Sequence, residues 1–345
     1  MKKLKRLTAA AIVFILTFSL IGCGENESSG NSGEGTIKFG IIPGTIRTAI
    51  VLLADHLGYY KEEGVNVEFV EVQEAAAALT SISTNKNEVD IWGQGIVPDL
   101  NFIANGSDLV IFEGTAAEGG AIIATPENVE KYKDIKEYEN ITVATVRADS
   151  AWVVSREYLK KQGIDINTIN VMEVDSQVNV AEAVRKGEAQ LGFLPAEYAN
   201  KYADSVDVVY EVGELEPMYV CCRQVTSRDT LKNKEIELIA FTRANIRALE
   251  YYQKEENRQE IISFLAKYSG QTEEYVEQYL FENRTIMTLD PNKEGIIDYY
   301  NSLVDAGYFE GSIDVAEHID TGIYDKALIE LVEKNPDNEF YKSLQ

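Results

Sequence analysis

Histidine and cysteine are almost absent from this 345-residue chain, which has 2 His and 3 Cys: His56, His318, Cys23, Cys221 and Cys222. So few exclude a disulfide-stapled scaffold and a histidine-rich metal centre, so neither a metal site nor a cofactor is expected. Positive charge is also short, with Lys+Arg 32 against Asp+Glu 57 and a formal net charge of -25. A nucleic-acid groove needs clustered cations, so DNA and RNA are excluded as partners. The common catalytic signatures GxxxxGK[ST], GxSxG and HExxH are missing. Gly93-Gln94-Gly95-Ile96-Val97-Pro98 carries Pro where a dinucleotide fingerprint needs its third Gly. Cys221-Cys222 has no His nearby in sequence to activate a nucleophile, so no catalytic residue is assigned and no enzyme is expected.

What is present begins with an export signal. Lys2, Lys3, Lys5 and Arg6 precede an apolar run at 7–21, which at about 15 residues is short for a membrane span of roughly 20. Residues 1–22 therefore read as a signal peptide. The run ends in Leu20-Ile21-Gly22-Cys23, which resembles the lipobox of bacterial lipoproteins. That resemblance implies cleavage and a diacylated Cys23 on the extracytoplasmic face of the cell membrane, since stable anchoring takes two acyl chains. Residues 23–35, rich in Gly, Ser and Asn without an apolar side chain after Cys23, read as a flexible tether reaching about 40 Å when extended. Loss of the signal removes four cations, so the body is repelled by anionic lipid and only the acyl chains hold it there.

The body alternates strand and helix. Ile37, Phe39 and Ile41 alternate as a strand, and a helix at 48–57 follows. Strands are expected at 65–72, 89–92, 109–112 and 121–124, with helices at 75–84 and 97–105. The pattern then restarts, with strands at 141–146, 171–174 and 191–194 and helices at 151–162, 180–186 and from Pro195. Apolar strands alternating with helices predict mostly parallel sheets flanked by helices. Ile37 and Ile141, Ile91 and Leu191, and Pro98 and Pro195 lie about 100 residues apart, a domain-sized repeat. Two α/β lobes are expected, 36–120 with 226–345 and 121–225. The helical segments after Asp229 wrap them, and most of the 19 Tyr are expected in packing roles.

LADHLGYYKEEGVNVEFV, the Ala-rich helix after it, EVDIWGQG and the later RKGEAQLGFLPAEYA together resemble the extracytoplasmic binding proteins of ABC importers. The likeness is to the sulfonate, taurine, nitrate and thiamine-pyrimidine group and covers about 37–332. It implies a two-lobed, type II periplasmic-binding-protein-like fold that bends at a hinge around a cleft. It also implies a small-molecule ligand and, as partners, a permease with its ATPase; a monomer is expected. Thiamine-pyrimidine synthases share the fold but are intracellular enzymes, an alternative that the export signal disfavours. A lipoprotein that senses its ligand for a receptor is the other alternative.

Open parallel sheets bind ligands beyond the carboxyl ends of strands. The residues there are Thr45, Arg47, Gln94 and Gly95 in the first lobe, and Arg147, Asp149, Ser150, Trp152 and Glu197 in the second. Strands at 121–124 and 220–224 bracket the repeat as crossovers, which puts Glu118, Gly119, Tyr219, Cys221 and Cys222 near the hinge. Arg47 and Arg147, read as equivalent across the repeat, favour an anion from both sides of the cleft. Asp149, Glu118 and Glu197 suit an ammonium or a ring N–H, and Trp92 or Trp152 either stacks on a ring or fills the core. Cys221 and Cys222 either occupy small hinge positions or oxidise to a strained ring.

Overall fold

The computed structural model describes residues 35–345 except 85, 87 and 312. The signal peptide, Cys23 and the tether up to residue 34 lie outside the described residues.

Among the described residues eleven strands form two sheets: β1 Gly35–Ile41, β2 Val65–Glu71, β3 Ile91–Gly95, β4 Leu109–Glu118, β5 Gly120–Ala124, β6 Thr142–Val146, β7 Asn170–Val174, β8 Leu191–Pro195, β9 Asp207–Glu211, β10 Val220–Ser227 and β11 Thr285–Met287. The first sheet runs β11-β4-β10-β3-β1-β2 and the second β7-β6-β8-β5-β9. Without β11 the two orders match strand for strand, β2-β1-β3-β10-β4 against β7-β6-β8-β5-β9. In each, one strand runs against the rest: β10 is antiparallel to β3 and β4, and β5 to β8 and β9. These are the strands by which the chain enters and leaves the second sheet. The repeat is thus visible in the topology.

Its register agrees with the expected pairs Ile37 and Ile141, and Ile91 and Leu191, and differs at Pro98. Phe39 pairs with Ile91 in the first sheet and Val143 with Leu191 in the second. Gly95, not Pro98, is therefore the counterpart of Pro195, and both cap the helix that follows their strand. The loop after β1 spans 42–48, whereas only 147–149 separate β6 from the helix Ser150–Lys161. Arg147 thus follows its strand directly while Arg47 lies just before its helix, and the two are not equivalent.

Strand burial explains the apolar runs: every residue of β4 and β5 is buried. β4 continues well past Phe112, because the small residues of Gly114-Thr115-Ala116-Ala117 fit between two neighbours. The long helix Glu235–Tyr252 lays Phe241 against the first sheet, its ring 6.1 Å from Phe39 and 5.2 Å from Tyr60, and packs against the helices Ala49–His56 and Gly322–Lys334. Side-chain caps fix helix starts in the second sheet's layer. Asp149 accepts from the Ala151 N–H, and Ser176 from Asn179; each such cap is worth about 1 kcal/mol. Among the described residues no helix is long and apolar enough to cross a membrane.

Candidate functional site

A cavity of about 300 Å³ lies where strands of both sheets end. From the first sheet come Arg47 and the first turn of the helix Ile96–Ala104, beginning at Gly95. From the second come Arg147, Asp149, Ser150, Pro195 and Glu197. Helix first turns leave backbone N–H groups without helical partners, so both walls offer donors to a ligand. The floor is the strand switch itself, Glu118, Gly119 and Gly120 on one crossing and Cys221 and Cys222 on the return.

Arg47 is the centre of the polar contacts. Its Nη2 donates to Glu197 Oε1 at 2.5 Å, joining the two walls, and its guanidinium lies 6.0 Å from the centre of the Tyr279 ring. The two side chains keep 31% and 11% of their surface exposed, so the pair is screened on the arginine side only. Asp149 accepts from Gln177 Nε2 and from the Ala151 N–H, each at 2.9 Å. Burial nonetheless outweighs both bonds and raises its pKa to about 6.

Arg147 lines the rim. Its Nη1 lies 3.3 Å from Glu173 and its guanidinium 4.9 Å from the centre of the Tyr308 ring, with 62% of the side chain exposed. The two arginines therefore do not converge on one group. Glu118 faces the cavity but is held by the chain: it accepts from the Met218 N–H at 2.8 Å and from Arg284 Nε at 2.9 Å. It sits at φ 61° next to Gly119 at φ 85°, a sharp turn between β4 and β5.

Four expected contacts do not line this cavity. Thr45 is used within its own loop, where its hydroxyl accepts from the Arg47 N–H at 3.3 Å. Gln94 is buried opposite Arg223 in the ladder, its Nε2 without a partner. Trp152 packs edge-on against Phe193, ring centres 5.0 Å apart, in the second sheet's core; Trp92 is likewise buried in the core. Tyr219 accepts from the Gly120 N–H at 2.7 Å and braces the turn between β4 and β5. In the other direction, Tyr279 and Thr285 complete the wall without having been expected there. Tyr279 rides on the π-helical turn Gln278–Glu282, a break in helical spacing of the kind often found at binding sites. Among the described residues no group of three or more His, Cys, Asp or Glu is placed to hold a metal ion.

The model of the family described as NMT1/THI5 like matches residues 45–258, more than half of the chain. The chain belongs to the NMT1/THI5-like family. No protein of curated function matches it in sequence. Solved structures of low identity share the fold of this NMT1/THI5-like chain. The periplasmic sulfonate-binding protein SsuA from Methylobacillus flagellatus KT is 14% identical over 87% of this chain and 96% of its own, with a TM-score of 0.71. The periplasmic nitrate-binding protein NrtA from Synechocystis PCC 6803 is 13% identical over 87% and 89%, with a TM-score of 0.66. The Candida albicans CA3427 gene product, which exhibits the generic periplasmic binding protein structural fold, is 18% identical over 83% and 96%, with a TM-score of 0.59. The fold of this chain is therefore the periplasmic-binding-protein fold, α/β with two sheets.

Proposed function

We propose that the chain is the solute-binding lipoprotein of an ABC importer. Lipid on Cys23 holds it at the extracytoplasmic face of the cell membrane, where it captures a small polar organic molecule and delivers it, unchanged, to a permease driven by an ATPase. The lobes are 36–120 with 226–345, and 121–225, and the protein acts as a monomer. The observation that carries this reading is the Arg47–Glu197 pair, which spans the two walls of the cavity. A solute bound there touches both sheets, so capture and lobe closure become one event, which a permease can read.

The lining supports a zwitterion or a polar heterocycle over a bare anion. Glu197 offsets Arg47, Glu173 offsets Arg147, and Arg284 offsets Glu118. The volume equals roughly ten water molecules, so the solute has on the order of ten non-hydrogen atoms. Native mass spectrometry of the purified, unlipidated protein tests the reading. A small polar molecule that co-purifies and is released chemically intact supports it. Turnover of that molecule supports a synthase-like enzyme instead, and failure of sulfonates, amino-acid-like zwitterions and pyrimidines all to bind overturns it.

A further inference from the structure

β10 does not run regularly past the cavity. Its pairing with β4 slips between Val220 and Cys222 and again between Cys222 and Arg223. In a regular strand, adjacent side chains face opposite sides. A bulge cancels that alternation and re-aims a side chain. Here Cys221 and Cys222 both line the cavity, with their Sγ atoms 3.2 Å apart and both thiols free.

We propose that this pair is a redox site within the cleft, which takes a low-molecular-weight disulfide as its substrate and closes to a bond between the adjacent cysteines. The Cys222 thiolate attacks one sulfur of R–S–S–R, forming Cys222–S–S–R and expelling RS⁻. Cys221 then attacks Cys222 Sγ, passing its proton to the first RS⁻ and expelling the second, which takes up the proton Cys222 had released. The protein loses two electrons and two protons, and the disulfide leaves as two thiols. The site goes beyond solute capture and does not depend on it.

The surroundings assign the roles. The contact with Cys221 lowers the Cys222 pKa against the cost of burial, with Arg47 adding to the effect. The same contact and burial push Cys221 well up, so it keeps its proton until the second step. A thiol with a pKa near ambient pH is the best attacking group in disulfide exchange. Fully buried Arg223 pins the bulge in place: its Nε donates to Pro291 O at 2.8 Å and its Nη1 to Cys222 O at 2.7 Å and Ala116 O at 3.0 Å. Closure needs the sulfurs to approach to about 2.05 Å, and a ring formed by neighbouring residues is strained and readily reduced. The pair is therefore reversible.

The test exposes the full chain to 2-hydroxyethyl disulfide, a small neutral probe, and maps the peptide containing Cys221 and Cys222 by mass spectrometry. The expected product is that peptide lighter by two hydrogen atoms, formed faster as the pH is raised through neutrality and reversed by dithiothreitol. Cys221→Ser should stop at the hydroxyethyl adduct on Cys222, and Arg47→Gln should slow the wild-type reaction at pH 7 by about threefold or more. A hydroxyethyl adduct that persists on the wild-type pair overturns the proposal. So does no reaction of the folded chain over a period in which the unfolded chain is fully modified.

Discussion

Arg47 and Glu197 are 150 positions apart and join the two sheets through a contact of 2.5 Å. One stands just before the first helix of the first sheet, and the other in the first turn of the helix after β8. The contact belongs to a cavity wall rather than to the surface, because Glu197 is only 11% exposed. Arg47→Ala leaves that carboxylate recessed without its partner, and any solute carboxylate or sulfonate without a donor. Losing a charge-assisted contact to a solute held in a closed cleft costs roughly 2–5 kcal/mol in binding. The expected result in calorimetric titration is affinity weakened by about 30-fold or more. Lys at the same position should rescue only part of it, because it lacks the planar fork.

Arg147→Ala is the contrasting case. Its guanidinium is 62% exposed and already paired with Glu173. Exposed pairs contribute about 0–1 kcal/mol, so solute affinity should stay within about fivefold of wild type. A loss as large as that for Arg47→Ala, in the same titration, would show that the lobes close further and bring Arg147 onto the solute.

The strands were legible where burial forces an apolar run, as at Ile37, Phe39 and Ile41. They were not legible at β9, whose sequence Asp-Val-Val-Tyr-Glu has a polar, partly exposed edge, nor at the three-residue β11. Gly95, Asp149, Ser150 and Glu197 were legible as lining of the cavity because it lies at strand ends and helix starts. Trp152 was misplaced by helix phase. It is the third residue of its helix, and with each residue turning the helix by about 100° its ring faces Phe193 rather than the cavity. Tyr279 was hidden for a different reason: its segment reaches the cavity from the helical region near the end of the chain, and only tertiary packing brings it there. The pairing of Arg47 with Arg147 failed because the two linking loops differ in length, which a constant offset of about 100 residues conceals.

Glu113 makes stability depend on pH. It is fully buried in β4, accepting from Asn245 Nδ2 at 3.0 Å and Thr242 Oγ1 at 2.9 Å. Burial raises its pKa from about 4.5 to about 8 despite those bonds. Between these values the folded chain keeps a proton that the unfolded chain releases, so this group's contribution is greatest at acidic pH and falls as pH rises through 8. Glu113→Gln keeps both bonds, since the Thr242 hydroxyl accepts as readily as it donates. Denaturant titrations should show the variant gaining stability over wild type as pH rises from 5 to 8, by at most about 1.4 kcal/mol per pH unit. Parallel curves for the two proteins would mean that Glu113 is already ionised in the fold.

Asp149 reports the charge of the solute. Its carboxyl forms part of the cavity wall, caps the helix Ser150–Lys161 and has a pKa near 6 because burial disfavours its charge. Lowering the pH through 6 therefore removes one negative charge from the cavity. A solute with an anionic group near Asp149 should bind more tightly as that happens, and one with an ammonium there should bind more weakly, by at most about tenfold per pH unit in either direction. Asp149→Asn preserves the cap, because Asn accepts from the same backbone N–H, but holds the position neutral. Its affinity should be level between pH 5 and 7 and match the wild-type value at the acidic end. Affinities measured at pH 5, 6 and 7 for both proteins decide the sign. A wild-type curve as flat as that of Asp149→Asn would place the solute's charged group away from this wall, against Arg47 and Glu197 alone.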